Sequence, residues 1–289
     1  MALSIKAEEL FHIGELAITN SMLSAFLIVI ALIAFYTIYT KKLNLVPSSF
    51  QVFLEWIIES IYSLVHNVLG EHKAKHIFPI IFSLFSLIII SNWFGLLPTT
   101  GSIGLAEKSY KEGNNLGQLF VLNIGQPQEE IHELDTSKEN KKFHYELVPF
   151  FRSPSADLNF TIALAIIAFV LIQYNAIKER GLHYLGKFFD YRVSIPTGWK
   201  VTLVPFAFLI NFLWKTLELV LEFSKILSFS FRLFGNIFAG EVLLVVITSL
   251  SLGLITLPFL GFELFVGFIQ SIVFIFLTMV FIRVSLDTH

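Results

Sequence analysis

No cysteine occurs among the 289 residues. Disulfides, thiolate metal sites and thiol nucleophiles are therefore excluded. Charge is scarce: Lys, Arg, Asp and Glu make up 15% of the chain, and the net charge of −2 identifies no partner. No internal repeat of the kind found in many secondary transporters is visible. The first residues do not read as a signal peptide. Lys6 is their only cation, Glu8, Glu9 and Glu15 follow it, and no small-residue cleavage site closes the first apolar run. Nothing in the chain points to nucleotide or nucleic-acid binding. What is abundant is apolar: 55% of residues are hydrophobic and 32 are phenylalanine. That composition predicts a polytopic, all-α membrane protein rather than a soluble domain with a large core.

Residues 1–20 are mildly amphipathic, and Met22–Tyr39 is the first apolar span, closed by Lys41 and Lys42. Pro47-Ser48-Ser49 then starts a new helix with serine as its N-cap. From Phe50 to Leu69, Gln51, Glu55, Glu59, Ser63 and Asn67 recur every four residues opposite an apolar face. This pattern predicts an amphipathic helix in the membrane interface, with a helix packed on a soluble partner as the competing reading. Phe78–Leu97 is the second clear span, ended by Pro98, and Leu158–Ile177 is the third. Between them, residues 99–156 are polar and turn-rich and read as an extramembrane excursion. Pro258 precedes the last span, Phe262–Arg283.

Loop charge sets the orientation. Segment 178–200 has five Lys/Arg in 23 residues, whereas 99–156 has six in 58 against eight acids. The basic loop is therefore expected in the cytoplasm, with Lys41, Lys42, Lys73, Lys75 and the C-terminus. The N-terminus and the excursion are expected outside.

The segment from Phe206 to Leu250 contains no proline, and no glycine before Gly235. As a helix it would run about 68 Å at 1.5 Å per residue, against a hydrocarbon core of ~30 Å. Either two spans meet in a tight turn near Glu222–Ser230, or a long helix lies obliquely. The candidate turn has no Gly, Pro, Asn or Asp, which favours the long oblique helix, or a hairpin bent elsewhere.

This segment carries Lys215, Glu218, Glu222, Lys225, Arg232, Asn236 and Glu241. Glu218, Lys225 and Arg232 are spaced by seven, within roughly 40° of one another on a helical wheel. Glu241 falls on the opposite face. In the last span Glu263 and Gln270 are also seven apart, on one face. Arg232 cannot shed its charge, has no carboxylate at i±3 or i±4, and so needs a polar cavity or a partner from elsewhere. Gly235 and Gly240 leave room for another helix to come close. Intramembrane acids beside one permanent cation point to an ion or proton pathway, with Glu218, Glu241 and Glu263 as relay candidates. The competing reading is interhelical polar glue, strongest for Glu218 and Glu222, which can pair with Lys215 or Lys225. His72 and His76 lie at i, i+4 beside Glu71 but lack a third converging ligand, so no metal site is expected.

The string RLFGNIFAGE at 232–241 resembles the hallmark of subunit a of F-type ATP synthases, the ATPase subunit 6 family. Pro154-Ser155-Ala156-Asp157-Leu158-Asn159, Glu218 and Gln270 follow the same resemblance, which covers nearly the whole chain apart from 99–156. It implies a single membrane domain, residues 1–289, of five membrane-embedded helices plus one amphipathic interfacial helix. The long fifth helix would pack obliquely against a ring of small hairpin subunits, the c-ring, each bearing a mid-membrane carboxylate.

The implied role is that of a stator subunit of the F0 motor, with no catalytic chemistry of its own. Two ion half-channels would couple proton (or sodium) flow to rotation of the ring and to ATP synthesis. Arg232 matches the essential arginine. Glu241 and Glu263 match the outer half-channel, Glu218 an acid on the cytoplasmic side, and Asn236 and Gln270 polar groups near the arginine. Asn92, Asp157, Asn159, Glu222 and Lys225 are carried as pathway or structural candidates. The implied partners are the c-ring, the subunit b peripheral stalk, lipid and the transported ion, with no cofactor. The implied location is the bacterial plasma membrane, an organelle remaining open. Some relatives carry histidine at 263 and an acid at 95, where this chain has Glu263 and Gly95, so the outer entrance differs. A proton-coupled secondary transporter is the alternative; it calls for broken helices around a solute pocket, and none is visible.

Overall fold

The computed structural model describes residues 9–13, 16–41, 43–97, 100, 104–110, 143–181, 204–251 and 255–287. Most of the basic loop (182–200), Lys42 and the acidic run at 129–135 lie outside the described residues. In chain order the elements are β1 (Glu9–Ile13), β2 (Leu16–Thr19), α1 (Asn20–Lys41), α2 (Ser49–Leu69), α3 (Glu71–Phe94), β3 (Gly104–Tyr110) and β4 (Phe143–Pro149). A 3-10 turn (Pro154–Ala156), α4 (Leu158–Arg180), α5 (Val204–Ser251) and α6 (Thr256–Asp287) complete the order. All six α-helices are long and apolar enough to cross a membrane.

Local chemistry explains the boundaries. Ser48 caps α2, its hydroxyl accepting from the Gln51 amide at 3.3 Å. Gly70 and Gly181, at φ 80° and 62°, end α2 and α4, their amides bonding the carbonyls of His66 and Ile177. A side chain would strain both positions. The last span begins earlier than its apolar run, and Pro258 stands in the first turn of α6, where its missing N–H costs nothing. Likewise α3 starts at Glu71 and carries Pro79 inside it. Within the first 20 residues, β1 and β2 form an antiparallel pair, Phe11 opposite Ile18 through Ile13 opposite Leu16. Two strands of the 99–156 segment also pair, Gly104 opposite Pro149 through Tyr110 opposite Phe143.

α5 is one helix of 48 residues, so no tight turn interrupts Glu222–Ser230. At 1.5 Å per residue it is about 72 Å long.

The chain divides into two compact units. One comprises Met1–Thr37, Leu87–Asp157 and Gly235–Ile269. Its buried side chains are largely polar: Asn20, Ser21, Ser24, Ser91, Asn92, Ser153, Asp157 and Glu263, with few apolar ones such as Ile28 and Ile237. The other comprises Ile38–Ser86, Leu158–Phe234 and Gln270–His289. Its interior is mainly apolar. α4 buries Leu164, Ala165, Ala168, Leu171, Ile172 and Ala176 at helical spacing, α3 buries Ile77, Ile81 and Leu84, and α6 buries Phe274, Ile275, Met279 and Ile282. The alanines let backbones approach, the packing used where lipid removes a hydrophobic drive between helices.

Candidate functional site

In the second unit the charged face of α5 is built from local and interhelical pairs. Lys215 Nζ lies 3.4 Å from Glu218 Oε2, within one turn of helix. Glu222 is 4% exposed and accepts from Lys225 Nζ at 2.6 Å and from Gln173 Nε2 of α4 at 2.9 Å. Lys225 also stands 4.9 Å over the Phe281 ring of α6. Glu222 and Lys225 are thus locked in a knot that ties three helices, the polar-glue geometry. A hydroxyl pair, Thr161–Ser230 at 3.0 Å, and the Phe229–Phe274 ring contact at 5.0 Å join the same elements.

Arg232 is arranged differently. Its guanidinium donates to Ser228 Oγ at 3.3 Å, one turn back, and makes no ion pair among the described residues. On the N-terminal side of Arg232, Trp214, Leu217, Leu221, Ser224 and Ser228 of the same unit are all exposed. By helical spacing these residues share the face of Arg232. A side chain at Gly235 would meet nothing within 4 Å. The remaining candidates of this unit are Gln270, buried beside Ser271 on α6, and Asn159, exposed on α4.

The first unit gathers a second group. Glu241 of α5 pairs with Arg152, which follows β4, Nε to Oε2 3.9 Å, with side chains 11% and 17% exposed. Glu263 of α6 is 6% exposed, and its carboxylate fills the space beside Gly240 that a β-carbon would take. Glu263 Oε1 is buried and receives no hydrogen bond from the described residues. A β-carbon at Gly95 would lie 2.6 Å from Ser153 Cβ, so this glycine admits Ser153 beside the end of α3, and Glu241 Oε1 lies in ordinary contact at 3.5 Å.

Asn92 and Asp157 hold this arrangement. Asn92 Nδ2 donates to the Gly267 carbonyl of α6 at 3.0 Å, and Trp93 Nε1 donates to Leu264 O at 3.0 Å. Asp157 accepts from the Ser21 hydroxyl at the start of α1. Ser153 Oγ donates to Ser91 O at 3.0 Å, and the Arg152 amide donates to Ser24 Oγ at 3.2 Å.

Asn92, Asp157, Asn236, Glu241 and Glu263 therefore belong to one unit, and Asn159, Glu218, Glu222, Lys225, Arg232 and Gln270 to the other. Arg152 and Gln173 are absent from the candidates read in the sequence. Both act across helices, and neither has a marked neighbour within one helical turn. The only available signal was the position of Arg152 at the edge of an apolar stretch beside Pro154-Ser155-Ala156-Asp157. Among the described residues no group of His, Asp and Glu side chains converges as a metal site.

Residues 21–283 match the family described as ATP synthase A chain. The chain is 30% identical over 282 residues to ATP synthase subunit a of Geobacter sulfurreducens, covering 98% of this chain and 93% of that protein. It is 27% identical over 285 residues to the subunit a of Trichlorobacter lovleyi, covering 99% and 94%. For Geotalea uraniireducens the figures are 29% over 282 residues, 98% and 93%.

Proposed function

The chain belongs to the ATP synthase A chain family, and from that premise we propose that it is the stationary F0 subunit that couples ion flow to rotation of a c-ring. The observation that carries this reading is Arg232. A guanidinium in an apolar segment costs at least ~2.5–3.5 kcal/mol at mid-membrane. Its only described partner is a serine hydroxyl on its own helix, which cannot neutralise the charge. The counter-charge then comes from the ring: a carboxylate brought past the uncovered stripe of α5. Gly235 and the small Ser224, Ser228 and Ala239 let the passing helices come close.

In this mechanism Arg232 holds the facing ring carboxylate ionised and separates two half-channels. Protons, or sodium ions, enter by one, ride the ring, and leave by the other. Glu241 and Glu263 serve the outer half-channel, in the unit whose interior is polar. Glu218 serves the cytoplasmic one, and Asn236 and Gln270 supply polar groups near the arginine. Glu222, Lys225, Asn92 and Asp157 act as structural ties, and Asn159 remains a pathway candidate. A breach between the half-channels would dissipate about 2.3 kcal/mol per proton for each 100 mV.

The membrane arrangement is five crossing helices and α2 in the interface. If α2 crossed, Lys41 before it and Lys73 and Lys75 after it would stand on opposite sides, against the positive-inside rule. With α2 in the interface these lysines share the cytoplasmic side with Arg180 and Arg283, and the N-terminus and the β3–β4 hairpin lie outside. The whole chain is one membrane domain of the bacterial plasma membrane, and subunit b is its stator partner.

The test is Arg232→Ala in vesicles carrying the whole complex. ATP-driven acidification is lost with the complex assembled, and passive flux through complexes stripped of their soluble head rises. Normal pumping would remove the mechanism.

A further inference from the structure

We propose that Arg152 is a positioning residue of the proton pathway, holding the Glu241 carboxylate beside Glu263 so that the two acids exchange a single proton. This rests on the reading of Glu241 and Glu263 as pathway groups. Among the described residues, the charged groups that face Glu241 are Arg152, from the segment after β4, and Glu263, from α6. Just past the end of α3, Gly95 contributes backbone, and no charged group of α3 itself is found against Glu241 among the described residues. Two neighbouring carboxylates cannot both stay ionised in a dry site without an opposing charge, and two protonated ones accept no further proton. One fixed guanidinium beside the pair favours the state with one proton between them, the state from which transfer in either direction is possible. Glu263 Oε1, buried and without a donor among the described residues, is an oxygen on which that proton can reside.

The geometry is constructed to keep the guanidinium in place. Arg152 is not on a helix, yet its segment is fixed at three points. Its own amide bonds Ser24 Oγ, the next residue, Ser153, bonds Ser91 O, and the same Ser153 packs against Gly95. The arginine therefore enters from the extramembrane segment after β4, and its charge reaches an acid on α5 that no lysine or arginine of α5 itself reaches. At 3.9 Å the pair is an electrostatic contact rather than a short hydrogen bond. That leaves the Glu241 carboxylate free to exchange a proton.

The experiment uses the whole complex in inverted vesicles with Arg152→Gln, Arg152→Lys and the double variant Arg152→Gln/Glu241→Gln. The readout is passive proton flux through stripped complexes as a function of pH on the outer side, beside ATP-driven pumping and subunit content. Arg152→Gln lowers flux by roughly tenfold or more. It also moves the flux–pH profile about one unit towards alkaline pH, because a carboxylate that loses a neighbouring cation holds its proton more tightly. Arg152→Lys returns the profile to its original position, and the double variant carries less flux than Arg152→Gln, because the acid that the charge positions is itself gone. An assembled Arg152→Gln complex with the original flux and profile would overturn the proposal. So would failure of both single variants to assemble, which would make the arginine a structural tie. Normal pumping by Arg232→Ala in the same vesicles would instead remove the function proposed above, and is read separately from the Arg152 profiles.

Discussion

The carboxylate of Glu263 occupies the space that a side chain at Gly240 would need. Glycine here is a vacancy filled by an acid from another helix, so α5 and α6 share one position for a backbone and a carboxylate. The neighbouring residue along α5, Glu241, meets the charge of Arg152. Gly240 thus admits the Glu263 carboxylate to the residue next to Glu241.

Gly240→Ala is expected to move an acid rather than unfold the chain. The atoms a β-carbon would strike are the far end of a flexible side chain, which can rotate away. The complex assembles, and the helix gains propensity, alanine being favoured over glycine by about 1 kcal/mol. Passive proton flux through stripped complexes nevertheless falls by roughly tenfold or more, because Glu263 leaves transfer geometry. Flux at the original level in an assembled Gly240→Ala complex would show that the placement of Glu263 beside Gly240 does not matter.

Glu222 is expected to act on stability. It is buried, and both Lys225 and Gln173 donate to it. Glu222→Ala leaves a partly buried ammonium and an amide without their acceptor, and breaking one side of a buried pair costs about 3–5 kcal/mol. The double variant Glu222→Leu/Lys225→Leu removes both charges and regains much of the loss, since well-packed apolar replacements of buried pairs are often neutral. Thermal melting of the detergent-solubilised complex measures both; equal destabilisation by the single and double variants would argue against the knot.

The long fifth helix was legible because its evidence is local. No turn former interrupts Glu222–Ser230, and α5 is continuous there. The Ser48 cap was legible for the same reason. The isolation of Arg232 followed from the absence of an acid within one turn, and among the described residues it makes no ion pair. What stayed hidden was every pairing that depends on chain reversal. Wheel geometry puts Glu241 opposite Arg232 but cannot name Arg152, which arrives from the segment after β4. Pairing of Glu222 with Lys215 or Lys225 is the competing reading of the sequence, and Lys225 does pair with it; Gln173 of α4 completes the site from a helix that carries no signal for it. Helix ends also exceeded the apolar runs. Hydropathy marks where lipid begins, whereas Glu71 to His76 are polar and helical. Strands β3 and β4 were unreadable because no two-residue turn joins them.

Gly235 separates packing within this chain from packing against a partner. A β-carbon there meets nothing within 4 Å, and the exposed Asn236 and Ala239 follow it. Judged by this chain alone, Gly235→Ala is harmless and even favourable by roughly 0.5–1 kcal/mol, from reduced backbone freedom in the unfolded state and better helix propensity. Judged by the proposed function it is not, because the stripe that carries Arg232 is where ring helices pass at close range, and small residues set that distance. The expected outcome is a variant whose subunit a inserts and folds normally, while ATP-driven pumping falls with the size of the substituent, Ala less than Val, Val less than Leu. Pumping rates of the three variants, each normalised to assembled complex, are the measurement. A graded loss places a moving partner against Gly235. Equal pumping in all three would mean that this face of α5 meets lipid, and the counter-charge of Arg232 would then have to come from another direction.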